Sequence, residues 1–278
     1  MTTPTPHWNR NATQWQLLAS PLRPCAEDVA LYSAGLQRWR SQSGDFSSRV
    51  LLLGVTQELR AMAWPADTEL LACDRSLAMI RAIWPLAAFG GARAAPVCAD
   101  WRALPLPAAS RNIAIGDGSA SALATLADLR LAAGEIERVL VPGGALILRL
   151  FLRPTISESL PQVAQEAAAG RIGNFHAFKW RLLMAVQRDA NQGVRLGDAW
   201  DAFQAHFADR ATLARQTGWA QEAIATIDTY RNADGRYCFH TLDEFEAAIA
   251  PAFGLLSVDY PGYELGERCP LIVARRRA

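Results

Sequence analysis

Val50-Leu51-Leu52-Leu53-Gly54, followed after a gap by Glu69-Leu70-Leu71-Ala72-Cys73-Asp74, is the stretch on which the fold turns. Four apolar residues without alternation, closed by a glycine, suit a strand buried on both faces, and such strands belong to parallel sheets. The second run ends in an aspartate, and Ser76 then stands as N-cap of a short helix over 76–84. The pattern repeats downstream. Residues 94–98 predict a third strand closed by Asp100-Trp101, and 112–115 a fourth closed by Gly116-Asp117-Gly118. Residues 120–139 predict a helix broken at Gly134, and Pro142-Gly143-Gly144 turns the chain into a fifth strand over 145–152. Strands alternating with helices imply right-handed crossovers and an α/β, doubly wound parallel sheet.

On the N-terminal side, apolar groups at helical spacing (Trp8, Ala12, Trp15, Leu18, then Val29, Tyr32, Leu36, Trp39) predict two helices, interrupted at Ser20-Pro21-Leu22-Arg23-Pro24 because proline cannot continue a helix. Past the fifth strand the periodicity is helical over 153–253, too long for a single crossover. Strand patterns return only at 255–260 and 271–275, joined by a Pro261-Gly262 loop short enough for an antiparallel pair. The expected organisation is a helical cap over 1–45, a sheet core over 46–152, a helical insertion over 153–253 and the last two strands over 254–278, with no internal repeat.

The 278 residues suffice for one sizeable core, and 28 Lys+Arg against 27 Asp+Glu argue against a general nucleic-acid coat or a polybasic membrane binder. No apolar run reaches the roughly 18 residues of a membrane span. The polar start of the chain lacks the order of a secretory signal, and five cysteines without a C-x-x-C pair read as reduced thiols, so the expectation is a cytoplasmic protein. Lys179, the only lysine, and the many alanines and arginines read as compositional bias.

Ligands of open α/β sheets sit beyond the carboxyl ends of the strands. Asp74, Asp100 and Asp117 stand there. Asp74 follows Gly54 by about 20 residues, the spacing at which a carboxylate accepts the hydroxyls of a ribose lying over the first strand. Asp100 is placed to accept from an adenine amino group, with Trp101 as an apolar edge, and Asp117 sits between two glycines that permit close backbone approach. Each aspartate taken singly also reads as a helix or turn cap. Three at successive strand ends point to a ligand.

Over residues 49–152 and 253–276 the sequence resembles the class I S-adenosylmethionine-dependent methyltransferases. The resemblance rests on Cys73-Asp74-Arg75-Ser76-Leu77-Ala78-Met79-Ile80, on the segment 99–107 that runs from Asp100 to Leu-Pro, on Gly116-Asp117-Gly118, and on Val139-Leu140-Val141-Pro142-Gly143-Gly144-Ala145-Leu146. It implies a Rossmann-like, seven-stranded sheet with an antiparallel last strand, S-adenosylmethionine as cofactor, and methyl transfer to a small-molecule acceptor. The residues it implies at the cofactor are Gly54, Thr56, Glu58, Asp74, Arg75, Asp100, Trp101 and Asp117. The first motif departs from the family: Leu52 holds its acidic position, and Gly54-Val55-Thr56-Gln57-Glu58 keeps only the first glycine of G-x-G-x-G. Glu58 is then the stand-in partner for the cofactor's ammonium, and Arg23, reaching from the proline elbow, for its carboxylate. The other reading is a catalytically silent protein that keeps the sheet as a sensor of S-adenosylmethionine or S-adenosylhomocysteine, or as a scaffold.

A dehydrogenase needs G-x-G-x-x-G, a P-loop its Walker pattern and a hydrolase its G-x-S-x-G elbow; all three are absent. His7, His176, His206 and His240 show no metal-ligand spacing. The aromatics of 153–253 read as the insertion's own core. Methyl transfer needs alignment and sometimes a base, for which Asp117, His176, Tyr237, His240 and Tyr263 are the candidates by position.

Overall fold

Proline and capping chemistry set the first elements. The computed structural model describes residues 6–43 and 48–277, so the cap–core boundary expected at 45–46 lies outside the described residues. Helix α1 (Pro6–Thr13) is followed by a 3-10 turn at Trp15–Leu17 and, beyond the proline elbow, by α2 (Ala26–Ser43). The apolar run forms β1 (Arg49–Leu53), leading through the one-turn helix α3 (Gln57–Arg60) to β2 (Glu69–Asp74). Ser76 accepts the Met79 N–H at 3.2 Å and so caps α4 (Leu77–Ile83), as its sequence position predicts. Then come β3 (Arg93–Cys98), β4 (Arg111–Asp117), α5 (Leu126–Val139) and β5 (Leu140–Arg149).

Two expectations shift here. Gly134 does not break α5: the helix runs through it, and a methyl group at that position meets open space. Its start moves to Leu126, because the Thr125 hydroxyl accepts the Asp128 N–H and residues before it turn instead. Pro142-Gly143-Gly144 does not separate helix from strand either. It lies within β5 as an irregularity, with Gly143 at φ +75° and a register shift against β4 between Arg111 and Ile113.

The helical stretch comprises α6 (Leu160–Ala168), α7 (Phe175–Val186), the short strand β6 (Val194–Arg195), α8 (Leu196–His206), α9 (Arg210–Thr217), α10 (Gln221–Ala225), a 3-10 turn at Thr226–Tyr230, β7 (Arg236–Tyr237) and α11 (Leu242–Ile249). β6 and β7 pair as a small ribbon. Phe175, Phe178, Phe203, Phe207 and Trp219 give this stretch an aromatic core of its own. α11 instead packs with α5 on the sheet through Phe245 and Ile249, so the part that leaves the sheet ends before it. β8 (Phe253–Asp259) and β9 (Leu271–Arg276) complete the chain.

The seven-stranded sheet has the order β3-β2-β1-β4-β5-β9-β8, with β9 antiparallel to both neighbours. This is the expected Rossmann-like architecture. β1 is buried on both faces, which its unbroken apolar run requires: Leu51 and Leu53 join Leu146, Leu148 and α5, whereas Val50 and Leu52 join Ile113, Ile115 and α2. Each such leucine contributes about 1.5–3 kcal/mol by leaving water. No helix among the described residues is long and apolar enough to cross a membrane.

α2 reaches the sheet closely because Gly35 has no Cβ; one would meet Val273 Cγ2 at 2.8 Å. Its Tyr32 hydroxyl donates to the Gly116 carbonyl at 2.7 Å and accepts the Arg149 N–H at 3.1 Å. Beside it, the Arg149 side chain is 1% exposed. Its Nε donates to Asp117 Oδ1 at 2.5 Å, and Nη1 donates to Asp28 Oδ2 at 3.1 Å and to the Tyr263 hydroxyl at 2.8 Å. That hydroxyl donates to Asp28 Oδ1 at 2.8 Å. One guanidinium thus joins α2, β4, β5 and the loop before β9.

Removing it leaves two buried carboxylates without a cation, so Arg149→Met is expected to lower unfolding free energy by about 3–5 kcal/mol in urea titrations, with Arg149→Lys recovering only part because an ammonium lacks the guanidinium's fork. Gly134→Ala is expected to do the opposite and add about 0.5–1 kcal/mol, read as a higher urea midpoint with unchanged slope.

Candidate functional site

The order of the sheet reverses between β1 and β4, and at this switch point the carboxyl ends of the strands open into a cavity of about 510 Å³. Its floor comes from residues after β1, β2, β3 and β4. Its roof comes from α1, α7 and the 226–237 segment. α1 is latched to that segment by Arg10, whose Nη1 donates to the carbonyls of Asp228 at 3.3 Å and Arg231 at 2.8 Å.

Gly54 ends β1 at φ +99°, a conformation that favours glycine, and its N–H donates to the Cys73 carbonyl at 2.8 Å. The Trp101 indole N–H donates to the same carbonyl at 2.6 Å, so the tryptophan is pinned beside the glycine. A Cβ on Gly54 would lie 3.9 Å from Asp74 Oδ2, 4.0 Å from Thr56 Oγ1 and 4.0 Å from Trp101 Cζ2. The space left by the missing methyl is therefore bounded by three residues expected at the cofactor. Asp74 Oδ1 accepts the Ser76 N–H at 2.7 Å, which leaves Oδ2 facing that space. Withdrawal from bulk water pushes the Asp74 carboxyl up to about 6, against the opposing pull of the Ser76 N–H and the nearby Arg75.

The other expected carboxylates meet arginines. Arg102 clamps Asp100, with Nε to Oδ1 at 3.0 Å and Nη2 to Oδ2 at 2.7 Å, and also binds Asp128 at 2.6 Å. That bidentate pairing holds the Asp100 carboxyl below the usual range. Asp100 and Trp101 do line the cavity, as does Arg75, but Asp100 does so as half of an ion pair. Asp117 also lines it, with both oxygens engaged by Arg149, so it is not a free base. Burial raises its carboxyl and the adjacent guanidinium pulls it back.

Arg23 and Glu58 pair with each other instead of waiting for a ligand. Arg23 does reach across from the proline elbow, but its Nε and Nη2 both donate to Glu58 Oε1, at 3.0 and 2.5 Å, and its Nη1 donates to the Trp15 and Leu18 carbonyls. Neither residue lines the cavity, whereas Thr56 does. Leu52, at the position where the family carries an acid, is fully buried in the apolar layer under α2, a place where an ionised carboxylate costs several kcal/mol.

Of the five positions expected to carry a base, Asp117 and Tyr237 line the cavity. His176 is buried behind it, its Nε2 3.0 Å from the Leu17 carbonyl, where it holds the 3-10 turn. His240 is buried beside Cys238, and Tyr263 belongs to the Arg149 cluster. Burial lowers both histidines to about 4. Among the described residues no group of three or more His, Cys, Asp or Glu side chains is arranged to hold a metal ion.

Apart from Tyr237, sequence reasoning missed the residues that line the roof. Lys179 is 1% exposed, its Nζ donates to the Thr226 carbonyl at 3.2 Å and hydroxyl at 3.4 Å, and it lies 4.5 Å from the centre of the Tyr230 ring. Burial pushes it down to about 7, with Asp228 opposing. His7 is 2% exposed and both its ring nitrogens lack a partner among the described residues; burial, reinforced by neighbouring cations, lowers it to about 3. The Trp180 indole N–H is also without a partner. The available signal was a lone lysine in the middle of Phe175-His176-Ala177-Phe178-Lys179-Trp180, a charge inside an otherwise apolar helix.

No family model and no curated protein sequence matches the chain. Solved structures do resemble it at low identity. A SAM-dependent methyltransferase from Methanosarcina mazei is 13% identical with a TM-score of 0.50, over 85% of this chain and 96% of that one. The N-methyltransferase NodS from Bradyrhizobium japonicum, solved with S-adenosylhomocysteine, is 12% identical with a TM-score of 0.50, over 97% and 100%. A Rhodobacter sphaeroides protein assigned to the zinc-dependent alcohol dehydrogenases is 14% identical with a TM-score of 0.56, over the full length of both. At these identities the likeness is one of fold, and with the strand order above it gives the chain a class I methyltransferase-type, Rossmann-like fold.

Proposed function

We propose that this protein binds S-adenosylmethionine at the Asp74 end of the cavity and transfers its methyl group to a small-molecule acceptor held under α1 and α7. The observation that carries the reading is the space in front of Gly54, where a missing Cβ, the outward oxygen of Asp74 and the pinned edge of Trp101 converge at the switch point of the sheet. A carboxylate there suits the two hydroxyls of a ribose, and an indole edge suits a purine. Thr56 and the Ser119 hydroxyl, which is buried without a partner, are the polar groups left for the amino-acid end once Glu58 is committed to Arg23.

When bound, the cofactor supplies a methyl group on a sulfonium, open to in-line displacement. The chain's own contribution is alignment and dryness. Trp8 and Trp15 from the N-terminal segment close the roof, and Phe151 and Trp180 pack along the wall with ring centres 4.9 Å apart and planes tilted by 53°. Holding two reactants in such an enclosure removes the entropy of their encounter without requiring any one catalytic side chain. The volume lies within the range of ordinary small-molecule sites.

Calorimetry with S-adenosylhomocysteine is expected to show saturable binding, weakened at least tenfold by Asp74→Ala. An intact, folded protein that does not bind returns the molecule to a scaffold, and one that binds but methylates nothing in a broad acceptor library is a sensor. Hydroxyl donors favour the ionised carboxylate, and the free Asp74 titrates at about 6. Affinity should therefore be flat above about pH 7 and fall by up to about tenfold per unit below pH 6, with proton release on binding in that range. Asp74→Asn should flatten that profile.

A further inference from the structure

Among the described residues, the roofed half of the cavity holds a buried charge that has no counter-ion. Lys179 forms no ion pair among the described residues: its two hydrogen bonds go to Thr226, and a lysine ammonium has three donors. The acids around it are committed. Asp228 accepts from Arg210 at 2.7 and 2.8 Å and from the Trp200 indole at 2.9 Å, and Asp117 is held by Arg149. Asp234, the remaining acid of the roof segment, is 90% exposed and paired with Arg195. An ammonium-bearing guest would meet a like charge here with no free carboxylate to offset it.

The walls are flat and aromatic. Tyr237 packs edge-on to His7 at 5.7 Å, to Trp180 at 5.6 Å and to Tyr230 at 6.2 Å between ring centres. His7, 2% exposed, and Trp180, 5% exposed, line the cavity with ring nitrogens that have no partner among the described residues. Buried polar groups in native proteins are nearly always satisfied, so these orphans mark where a guest's polar atoms belong.

We infer that this compartment takes a flat aromatic acceptor bearing an anionic oxygen, a ring carboxylate or phenolate, with Lys179 as the counter-ion and Trp180 and His7 serving the other polar edge. The inference rests on the cavity being a methyl-acceptor site and names the acceptor's class. It makes Lys179 a specificity residue. The groups facing its Nζ are Thr226, the Tyr230 ring and, at longer range, Asp228, His7 and His176, so an entering anion is the only strong new charge. Pairing with it should drive the amine back toward its ordinary, protonated state.

The test is calorimetry with matched probes, each with and without saturating S-adenosylhomocysteine: benzoate against benzamide and benzylamine, and 4-nitrophenolate against 4-nitroanisole. At least one anion should bind tenfold or more tighter than its neutral partner, and which one does tells carboxylate from phenolate. Lys179→Met should erase the preference while keeping the affinity for S-adenosylhomocysteine. In wild-type protein labelled with [15N]lysine the single Nζ resonance should titrate near 7 alone and distinctly higher with the anion bound, accompanied by proton uptake at pH 8. This arm stands even if the variant fails to fold. Equal affinity for anions and neutral probes, tighter binding of benzylamine, a preference that survives in folded Lys179→Met, or an unmoved lysine titration overturns the inference. Aryl anions that ignore Lys179 in a protein that binds S-adenosylhomocysteine sink the acceptor class alone. Lysine-dependent anion binding in a protein that ignores S-adenosylhomocysteine sinks the methyltransferase reading and leaves the anion site.

Discussion

A guanidinium buried at the carboxyl end of β5 has to be neutralised where it stands, because moving an ion out of water costs several kcal/mol before any partner repays it. Arg149 meets that demand with Asp117 from the end of β4 and Asp28 from α2, and Tyr263 closes the ring between them. Arg149 and its three partners come from four separate parts of the chain. Their convergence therefore fixes the N-terminal helix, the central strands and the final loop relative to one another directly beneath the cavity. It also decides what Asp117 can do: with both oxygens held by the guanidinium it shapes the floor and leaves proton transfer to other groups.

The same chemistry recurs at the other strand ends and sorts the carboxylates. Asp100 and Glu58 are each taken by an arginine, Arg102 and Arg23. Asp74 alone accepts a backbone N–H on one oxygen and presents the other to open space beside Gly54. In a chain with 28 basic and 27 acidic residues such pairing is the ordinary fate of a carboxylate, which gives the one left open its meaning. Leu52 fits this economy. With α2 laid over β1, the layer beneath it is apolar, and a carboxylate at that position would have no cation to meet.

The fold was legible because its signals are local. The unbroken run 50–53, the Ser76 cap and the glycine-closed strand at 112–118 each act over a few residues, and a doubly wound parallel sheet follows from their alternation. At Gly134 the local signal misled because tertiary packing outweighs propensity. Gly134 costs a helix roughly 1 kcal/mol, less than α5 gains by burying Leu129, Ala133 and Ile136. The site was legible on its floor for the same reason, since strand ends are fixed by sequence position. Its roof was not. Which arginine reaches which carboxylate spans 35 residues for Arg23 and Glu58 and 32 for Arg149 and Asp117, and no spacing rule covers such distances. Lys179 and His7 are brought together by the packing of α1 onto the 226–230 turn, an arrangement neither segment encodes alone.

Desolvation acts on both ends of the cavity, and in opposite senses. It raises the Asp74 carboxyl to about 6 and lowers the Lys179 amine to about 7, so each group sits close to losing its charge at neutral pH. A group in that state is sensitive to what arrives beside it. Hydroxyl donors at Asp74 and an oxyanion at Lys179 would each restore the charge that burial disfavours, and the energy of that restoration becomes available to binding. The two ends lie in one enclosure, so a ligand that fills one end leaves less water in the cavity and lowers the dielectric through which the remaining charge acts. Occupancy of the floor should then strengthen the pull of the roof, an order of events in which nucleoside and acceptor favour each other's binding through the shared loss of solvent, without any movement of the sheet.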